Sequence, residues 1–177
     1  MTAAAPRNRS LRTLALFWVP PLVWTVLLFV VSGGEFTMGR TATLLLWVFR
    51  LLHLPLAHFD LIHAGLRKTG HFIGYAILGA LLFRAWRVSL PGPRQLWLAA
   101  EIAGRSVLGW LGPAWRARWA ALAVAAAALV ATGDEINQLF VPGRSSSPRD
   151  IALDTLGALF AQALLLAWFY RKPWAEQ

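Results

Sequence analysis

Four long apolar segments dominate this sequence and constrain what it can fold into. They run over about residues 14–31, 69–86, 117–138 and 151–170 of the 177-residue chain. A helix needs about 20 apolar residues to cross the hydrocarbon core of a bilayer, which is close to the length of each segment. Hydrophobic residues make up 58% of the chain, far more than in a soluble domain of this size. We therefore predict an all-α, polytopic membrane protein, a single domain over residues 1–177 with about four transmembrane helices in a compact bundle.

The positive charges of the chain lie at the ends of these segments. The formal net charge is +9, but the arginines form no long basic run of the kind that would indicate nucleic-acid binding. With four spans, eleven of the 17 lysines and arginines fall on the side of the two termini and six on the other side. Cytoplasmic loops of membrane proteins are enriched in these residues. We expect a multi-pass protein of the bacterial cytoplasmic membrane, with cytoplasmic N- and C-termini and no nucleic-acid partner.

Two further segments, residues 41–61 and 94–116, are apolar but carry charges or prolines. Arg50 would lie near the middle of a span over 41–61, at a cost of about 2.5–3.5 kcal/mol. We expect a helix in the membrane interface that turns near Pro55, with a spanning helix as the alternative. The segment 94–116 mixes tryptophans with scattered arginines. This pattern predicts an amphipathic surface segment, or a short re-entrant piece.

The third apolar segment draws acidic residues towards the membrane. Its most apolar part, Ala120 to Ala131, is only 12 residues long. A helix that crosses the bilayer must therefore continue towards Phe140 or begin before Trp119. Either extension brings Asp134 and Glu135 towards the bilayer. Ionisable side chains are costly there, and they usually serve a site or pair with one another.

Polar residues from three spans are expected to meet at the extracytoplasmic face. Within each helix they recur at spacings of three, four or seven, which places them on one face. The candidate ligand-binding residues are Lys68, His71, Tyr75, Asp134, Glu135, Gln138, Arg144, Asp150 and Asp154. His71, Asp134 and Glu135 are also the candidates for catalysis. No nucleophile motif or recognised metal-ligand spacing accompanies them, and we expect no metal and no cofactor.

These residues resemble the motifs of VanZ-like membrane proteins. The segment that begins at Lys68 is similar to that family's K-x-x-H-x-x-x-Y segment, and Ser32 after the first span also fits. The segment that begins at Asp134 resembles its D-E-x-x-Q-x-F-x-P-G-R-x-x-S-x-x-D block. Arg67 stands where the family usually has an acid, and Asp154 stands where it usually has an asparagine. The resemblance implies an envelope role and low-level resistance to glycopeptide antibiotics, notably teicoplanin, without a defined reaction.

Several functions are compatible with this set of residues. We expect a site that binds an anionic envelope ligand, which would be a lipid headgroup, a lipid-linked wall precursor or a glycopeptide. Arg144 and Lys68 would hold the anion. The alternatives are an integral membrane hydrolase or transferase with His71 as base, a proton or ion pathway, and a purely structural buried network. Membrane lipids are expected partners, and small-residue faces such as Gly157 and Ala161 would suit a homodimer.

Overall fold

The architecture is a bundle of four long helices with a shorter helix beside one end. The structure is a computed structural model that describes residues 11–33, 40–53, 55–90, 115–141 and 146–171. No strand occurs among these residues, which confirms the all-α prediction. The helices are α1 (Leu11–Ser32), α2 (Arg40–Leu51), a 3-10 turn (Leu56–His58), α3 (Phe59–Ser89), α4 (Ala117–Gln138) and α5 (Pro148–Arg171).

Four of these helices are long and apolar enough to cross a membrane. The candidate spans are Leu14–Ser32, Leu56–Ser89, Ala117–Gln138 and Pro148–Phe169. Large apolar side chains cover their outer surfaces, and Leu129 is 74% exposed. A lipid environment explains this exposure, because a water-soluble bundle would bury such side chains. The chain is therefore a multi-pass membrane protein.

Helix α3 lies at the centre of the bundle and contacts every other described helix. Its fully buried side chains include Tyr75, Leu78 and Phe83. Phe83 packs edge-on against Trp119 of α4 with ring centroids 6.1 Å apart. Because α4 presents mainly alanines to this core, such as Ala127, the backbones of α3 and α4 come close together.

Glycines allow an equally close contact between α3 and α5. A Cβ atom on Gly157 would collide with the backbone carbonyl oxygen of Phe72, and one on Gly79 would lie 2.9 Å from the Cα of Ala158. The small-residue surface predicted around Gly157 therefore packs against another helix of the same chain. This contact sets how far α5 stands from α3 and thereby fixes the spacing of the polar residues next to it.

Two tryptophans attach α1 to the rest of the bundle. The indole N–H of Trp24 donates to the Gly74 carbonyl of α3 at 2.9 Å. The indole N–H of Trp18 donates to the Ser89 hydroxyl at 2.7 Å. In a membrane the lipid is as apolar as the side chains, so the hydrophobic effect does not drive helices together. Hydrogen bonds of this kind then help to stabilise their association.

The observed helices differ from the predicted segments in two places. The second span was predicted to start at residue 69, but α3 begins ten residues earlier, at Phe59. The interfacial segment predicted over 41–61 is divided between α2, the 3-10 turn and the start of α3, and its 12-residue helix is too short to cross a bilayer. Helix α4 extends beyond the apolar alanines at both ends, as expected. The predicted segment 94–116 lies almost wholly outside the described residues.

Candidate functional site

Polar side chains from four helices meet at one end of the bundle. They come from the C-terminal end of α1, the first half of α3, the last turns of α4 and the first turns of α5. Their contacts join Ser32 to Asp134, His71 to Asp154, and Lys68 to Asp150. The ends of α3, α4 and α5 that the sequence predicted to converge therefore lie together. The end of α1 joins them through Ser32, which is 102 positions before Asp134.

Asp134 lies inside the bundle and is held by hydroxyl and amide donors. The Ser32 hydroxyl donates to its Oδ2 atom at 2.8 Å. The Gln138 side-chain amide donates to the same atom at 3.3 Å, from one turn further along α4. Its other oxygen, Oδ1, has no hydrogen-bond partner in the part of the chain that the structure describes. One carboxylate oxygen of Asp134 is thus held by two donors, whereas the other has no donor among the described residues.

Asp154 of α5 faces His71 of α3. The Nδ1 atom of His71 lies 3.4 Å from Oδ2 of Asp154, which is long for a hydrogen bond. Tyr75 follows His71 one turn later, and the two rings are stacked with centroids 6.5 Å apart. Oδ1 of Asp154 and the hydroxyl of Tyr75 are both buried without a hydrogen-bond partner among the described residues. A carboxylate beside an imidazole can orient the ring and stabilise its protonated form.

Two further acidic residues occupy the outer part of the site. Glu135 accepts the backbone N–H of Ser147, just before α5, at 2.8 Å through its Oε2 atom. This bond ties the connection between α4 and α5 back onto α4. Asp150 lies 3.9 Å from the Lys68 ammonium, whose side chain is 57% exposed. An ion pair this exposed contributes little to stability, so Lys68 remains accessible to a ligand.

A small pocket opens between these residues. Its interior holds about 10 Å³, which is room for about one water molecule, and the rest of the pocket is open to the outside. Drug-sized ligands occupy pockets of about 300–1,000 Å³, so this one suits a much smaller group. The lining residues are Arg67, Lys68, His71, Glu135, Gln138, Asp150, Leu153 and Asp154.

The buried acids outnumber the cations that face them. Asp134, Glu135 and Asp154 are each at most 2% exposed. None of the three forms an ion pair with a lysine or arginine within the described ranges, and the partner of Asp154 is a histidine. A buried carboxylate without a partner is costly. Protonation, a bound cation or a residue outside the described ranges must therefore neutralise part of this charge.

Eight of the nine predicted ligand-binding residues belong to this cluster, and the ninth, Arg144, lies outside the described residues. Sequence reasoning did not select Arg67, Ser32 or Ser147 for the site. Arg67 was visible as a change of charge beside Lys68, and Ser32 as part of the resemblance. Ser147 acts through its backbone, which no side-chain pattern could reveal.

Three side chains of the cluster could hold a metal ion. One nitrogen of His71 and one oxygen each of Asp134 and Asp154 all lie within 4.8 Å of one another. These residues come from three different helices, at positions 71, 134 and 154. No rule for ligand spacing along a sequence detects such a set, because each helix supplies a single ligand.

Comparison with known proteins identifies one family. The model of a family described as VanZ/LLP1 matches residues 16–170, which is most of the chain. No curated protein and no solved structure matches the sequence. The matched range includes all of the polar cluster and four of the five helices in full or nearly so.

Proposed function

We propose that this chain, which belongs to the VanZ/LLP1 family, binds the anionic headgroup of an envelope lipid or of a lipid-linked wall precursor in the polar pocket. The observation that carries the proposal is the pocket itself, which has two adjacent cations, Arg67 and Lys68, beside a half-buried histidine. Resistance to glycopeptides such as teicoplanin would follow from occupying or shielding that precursor.

The depth of the pocket along α3 favours a headgroup. From His71 to Ser89 the helix rises about 27 Å, which is close to the hydrocarbon thickness of about 30 Å. If Ser89 lies at one boundary of the hydrocarbon, His71 lies at the other. The pocket is then level with the phosphates of the lipids, and Lys68 stands one turn further out.

The charges at the pocket favour an anion at its outer end. Lys68 has only the long contact with Asp150, and Arg67 has no ion pair within the described part of the chain. An arginine binds phosphate oxygens with its planar guanidinium, whereas a lysine supplies a mobile point charge. Arg144, which the sequence places in the connection before α5, would be a third cation for the same ligand.

The size of the pocket favours one member of the expected ligands over another. The pocket has room for about one water-sized group inside, so it can admit a phosphate oxygen from its open mouth. It does not accommodate a whole glycopeptide, which is larger than the drug-sized ligands of ordinary pockets. Direct capture of the antibiotic is therefore the weaker version of the proposal.

The proposed ligand requires the pocket to face away from the cytoplasm. The distribution of lysines and arginines supports that orientation in a bacterial cytoplasmic membrane, with both termini inside. Because the chain contains no cysteine, S146C provides a single label beside the pocket. A membrane-impermeant maleimide should label S146C in intact cells, and A175C only after lysis. The reverse pattern would contradict the orientation.

The binding test compares anionic and neutral lipids on the purified full-length protein. We expect native mass spectrometry to show retained phosphatidylglycerol on the wild type and little retained phosphatidylcholine. R67Q/K68Q should weaken phosphatidylglycerol retention by at least about tenfold, because charge-assisted hydrogen bonds contribute about 1.5–3 kcal/mol each. The same variant should lose any protection against teicoplanin in a susceptible host.

A matched control separates the pocket from general charge. R116Q/R118Q removes the same charge from the start of α4, at the other end of the bundle, and should retain phosphatidylglycerol as the wild type does. Equal losses in the two double variants would mean that lipids bind by overall charge. An unchanged R67Q/K68Q would remove the pocket as the binding site.

A further inference from the structure

We propose that His71, Asp134 and Asp154 form a binding site for one divalent cation of the Mn²⁺ or Zn²⁺ class. Its three ligands come from α3, α4 and α5, and two of them, His71 and Asp154, line the pocket. The site does not depend on the headgroup that the pocket is proposed to bind.

The distances in the cluster suit a single ion. Bonds of about 2.0–2.2 Å place two neighbouring ligands of a tetrahedral ion about 3.4 Å apart. The distance from Nδ1 of His71 to Oδ2 of Asp154 is 3.4 Å. The three ligand atoms all lie within 4.8 Å of one another. In a tetrahedral site the widest of these separations must shorten to about 3.4 Å, so closure needs a movement of at most roughly 1.4 Å, shared among the three side chains.

Buried carboxylate oxygens that have no hydrogen-bond partner among the described residues indicate a place where a cation could bind. Oδ1 of Asp134 and Oδ1 of Asp154 accept no hydrogen bond from the described residues. The two residues are 1% and 0% exposed, so bulk solvent does not reach these oxygens. The Tyr75 hydroxyl is also buried without a partner among those residues, within the electrostatic field of both carboxylates. A cation between the carboxylates would engage these oxygens and reduce their mutual repulsion.

The kinds of donor atom limit the choice of metal. One imidazole nitrogen and two carboxylate oxygens favour Mn²⁺ or Zn²⁺, whereas a site for Mg²⁺ or Ca²⁺ uses oxygen alone. No thiolate can contribute, because the chain has no cysteine. Three protein ligands leave at least one coordination position for water or for a ligand oxygen.

Neighbouring groups hold two of the three ligands in place. Ser32 and Gln138 both donate to Oδ2 of Asp134, which orients that carboxylate from the side of α1 and α4. The ring of Tyr75 stacks on His71. Such supporting contacts fix the direction of metal ligands and are usual around metal sites. A lone acidic cluster on a protein surface lacks this support.

The test measures cation binding on the full-length protein in detergent, without added lipid phosphate. After treatment with a chelator, titration calorimetry with Mn²⁺ and with Zn²⁺ should give one site per chain for at least one of them. D154N and D134N keep the shape of the side chain and should weaken binding by more than about 100-fold. D60N is the matched control, since Asp60 is an acid on the same helix as His71, about three turns before it and outside the cluster. Its affinity should equal that of the wild type.

A spectroscopic measurement assigns the histidine. Pulsed electron paramagnetic resonance of bound Mn²⁺ should show coupling to an imidazole nitrogen in the wild type and lose it in H71Q. Absence of stoichiometric binding of both cations would overturn the proposal, as would equal affinity in D154N and the wild type. If the aspartate variants do not fold, persistence of the nitrogen coupling in H71Q overturns it. Unchanged lipid retention in R67Q/K68Q, which would refute the headgroup proposal, would leave this result untouched, so the two proposals fail separately.

Discussion

Replacing Gly157 with alanine should separate α5 from α3 and loosen the site between them. The new methyl carbon would collide with the carbonyl oxygen of Phe72, lie 3.1 Å from its carbonyl carbon and lie 3.3 Å from the Ala76 nitrogen. All three atoms belong to the backbone of α3, which cannot rotate away. Restoring a carbon–oxygen distance of about 3.3 Å requires the two helices to move apart locally by roughly 1 Å.

The expected cost combines two opposing effects. Forcing an extra methyl group into a packed interface costs about 1–3 kcal/mol. Alanine in place of glycine recovers at most about 1 kcal/mol of helix propensity. We therefore expect a net loss of roughly 1–2 kcal/mol in the free energy of unfolding of the G157A variant. Reversible unfolding by sodium dodecyl sulfate in mixed micelles measures this loss.

Gly70 supplies the control, because it lies on α3 near the same site and a Cβ atom there would meet nothing within 4 Å. G70A receives the same gain in helix propensity without the collision. The difference between the two variants isolates the packing cost, about 1–3 kcal/mol. If G157A and G70A unfold at the same detergent fraction, the close contact of α3 with α5 is wrong.

The G157A substitution should also affect the site, because Gly157 lies three residues after Asp154 and opposite the residue that follows His71. A separation of roughly 1 Å extends the 3.4 Å contact between His71 and Asp154 beyond hydrogen-bonding range. Nitrogen-15 spectra of the His71 ring should change in G157A and remain unchanged in G70A. Identical ring signals in both variants would contradict this coupling between packing and site geometry.

Two further predictions concern single buried hydrogen bonds. S32A removes the hydroxyl that donates to Asp134 at 2.8 Å and should lower the free energy of unfolding by about 1.5–3 kcal/mol. S32T keeps a hydroxyl and should restore most of this loss. Equal stability of S32A and the wild type would contradict the bond. The buried Gln162 amide donates to the Gly79 carbonyl at 3.0 Å, while its oxygen has no partner among the described residues. Q162E, which buries a charge, should therefore destabilise the bundle clearly more than Q162L, and the opposite order in the same assay would refute that account.

The membrane helices could be predicted because their length and hydropathy are local properties of the chain. Helix α4 had to extend past its alanines, because 12 apolar residues cannot cross a bilayer, and it does. The early start of α3 was not predicted, since Asp60, His63 and the cations that follow resemble an interfacial segment. That start depends on contacts between separate parts of the chain, such as Phe49 against Phe59 at 5.5 Å.

The spacing of residues along the sequence indicated which side chains share the site, but it did not indicate which of them contact each other. A separation of three residues places Lys68 and His71 on one helix face, and both line the pocket. The partner of each acid depends on how far one helix is shifted along another. That shift is set by close contacts such as Gly157 against Phe72, which have no signature along the sequence. Hence Asp134 bonds to Ser32 of α1 rather than to a cation.

The length of α3 has a mechanical consequence. Its 31 residues extend about 46 Å, roughly 16 Å more than the hydrocarbon layer is thick. The excess is an arm of about three helical turns before His71, and Phe49 of α2 packs against this arm. A rigid rod held at its centre turns as one body. A force applied to the arm would therefore be transmitted along the helix to His71 and would change its distance from Asp154.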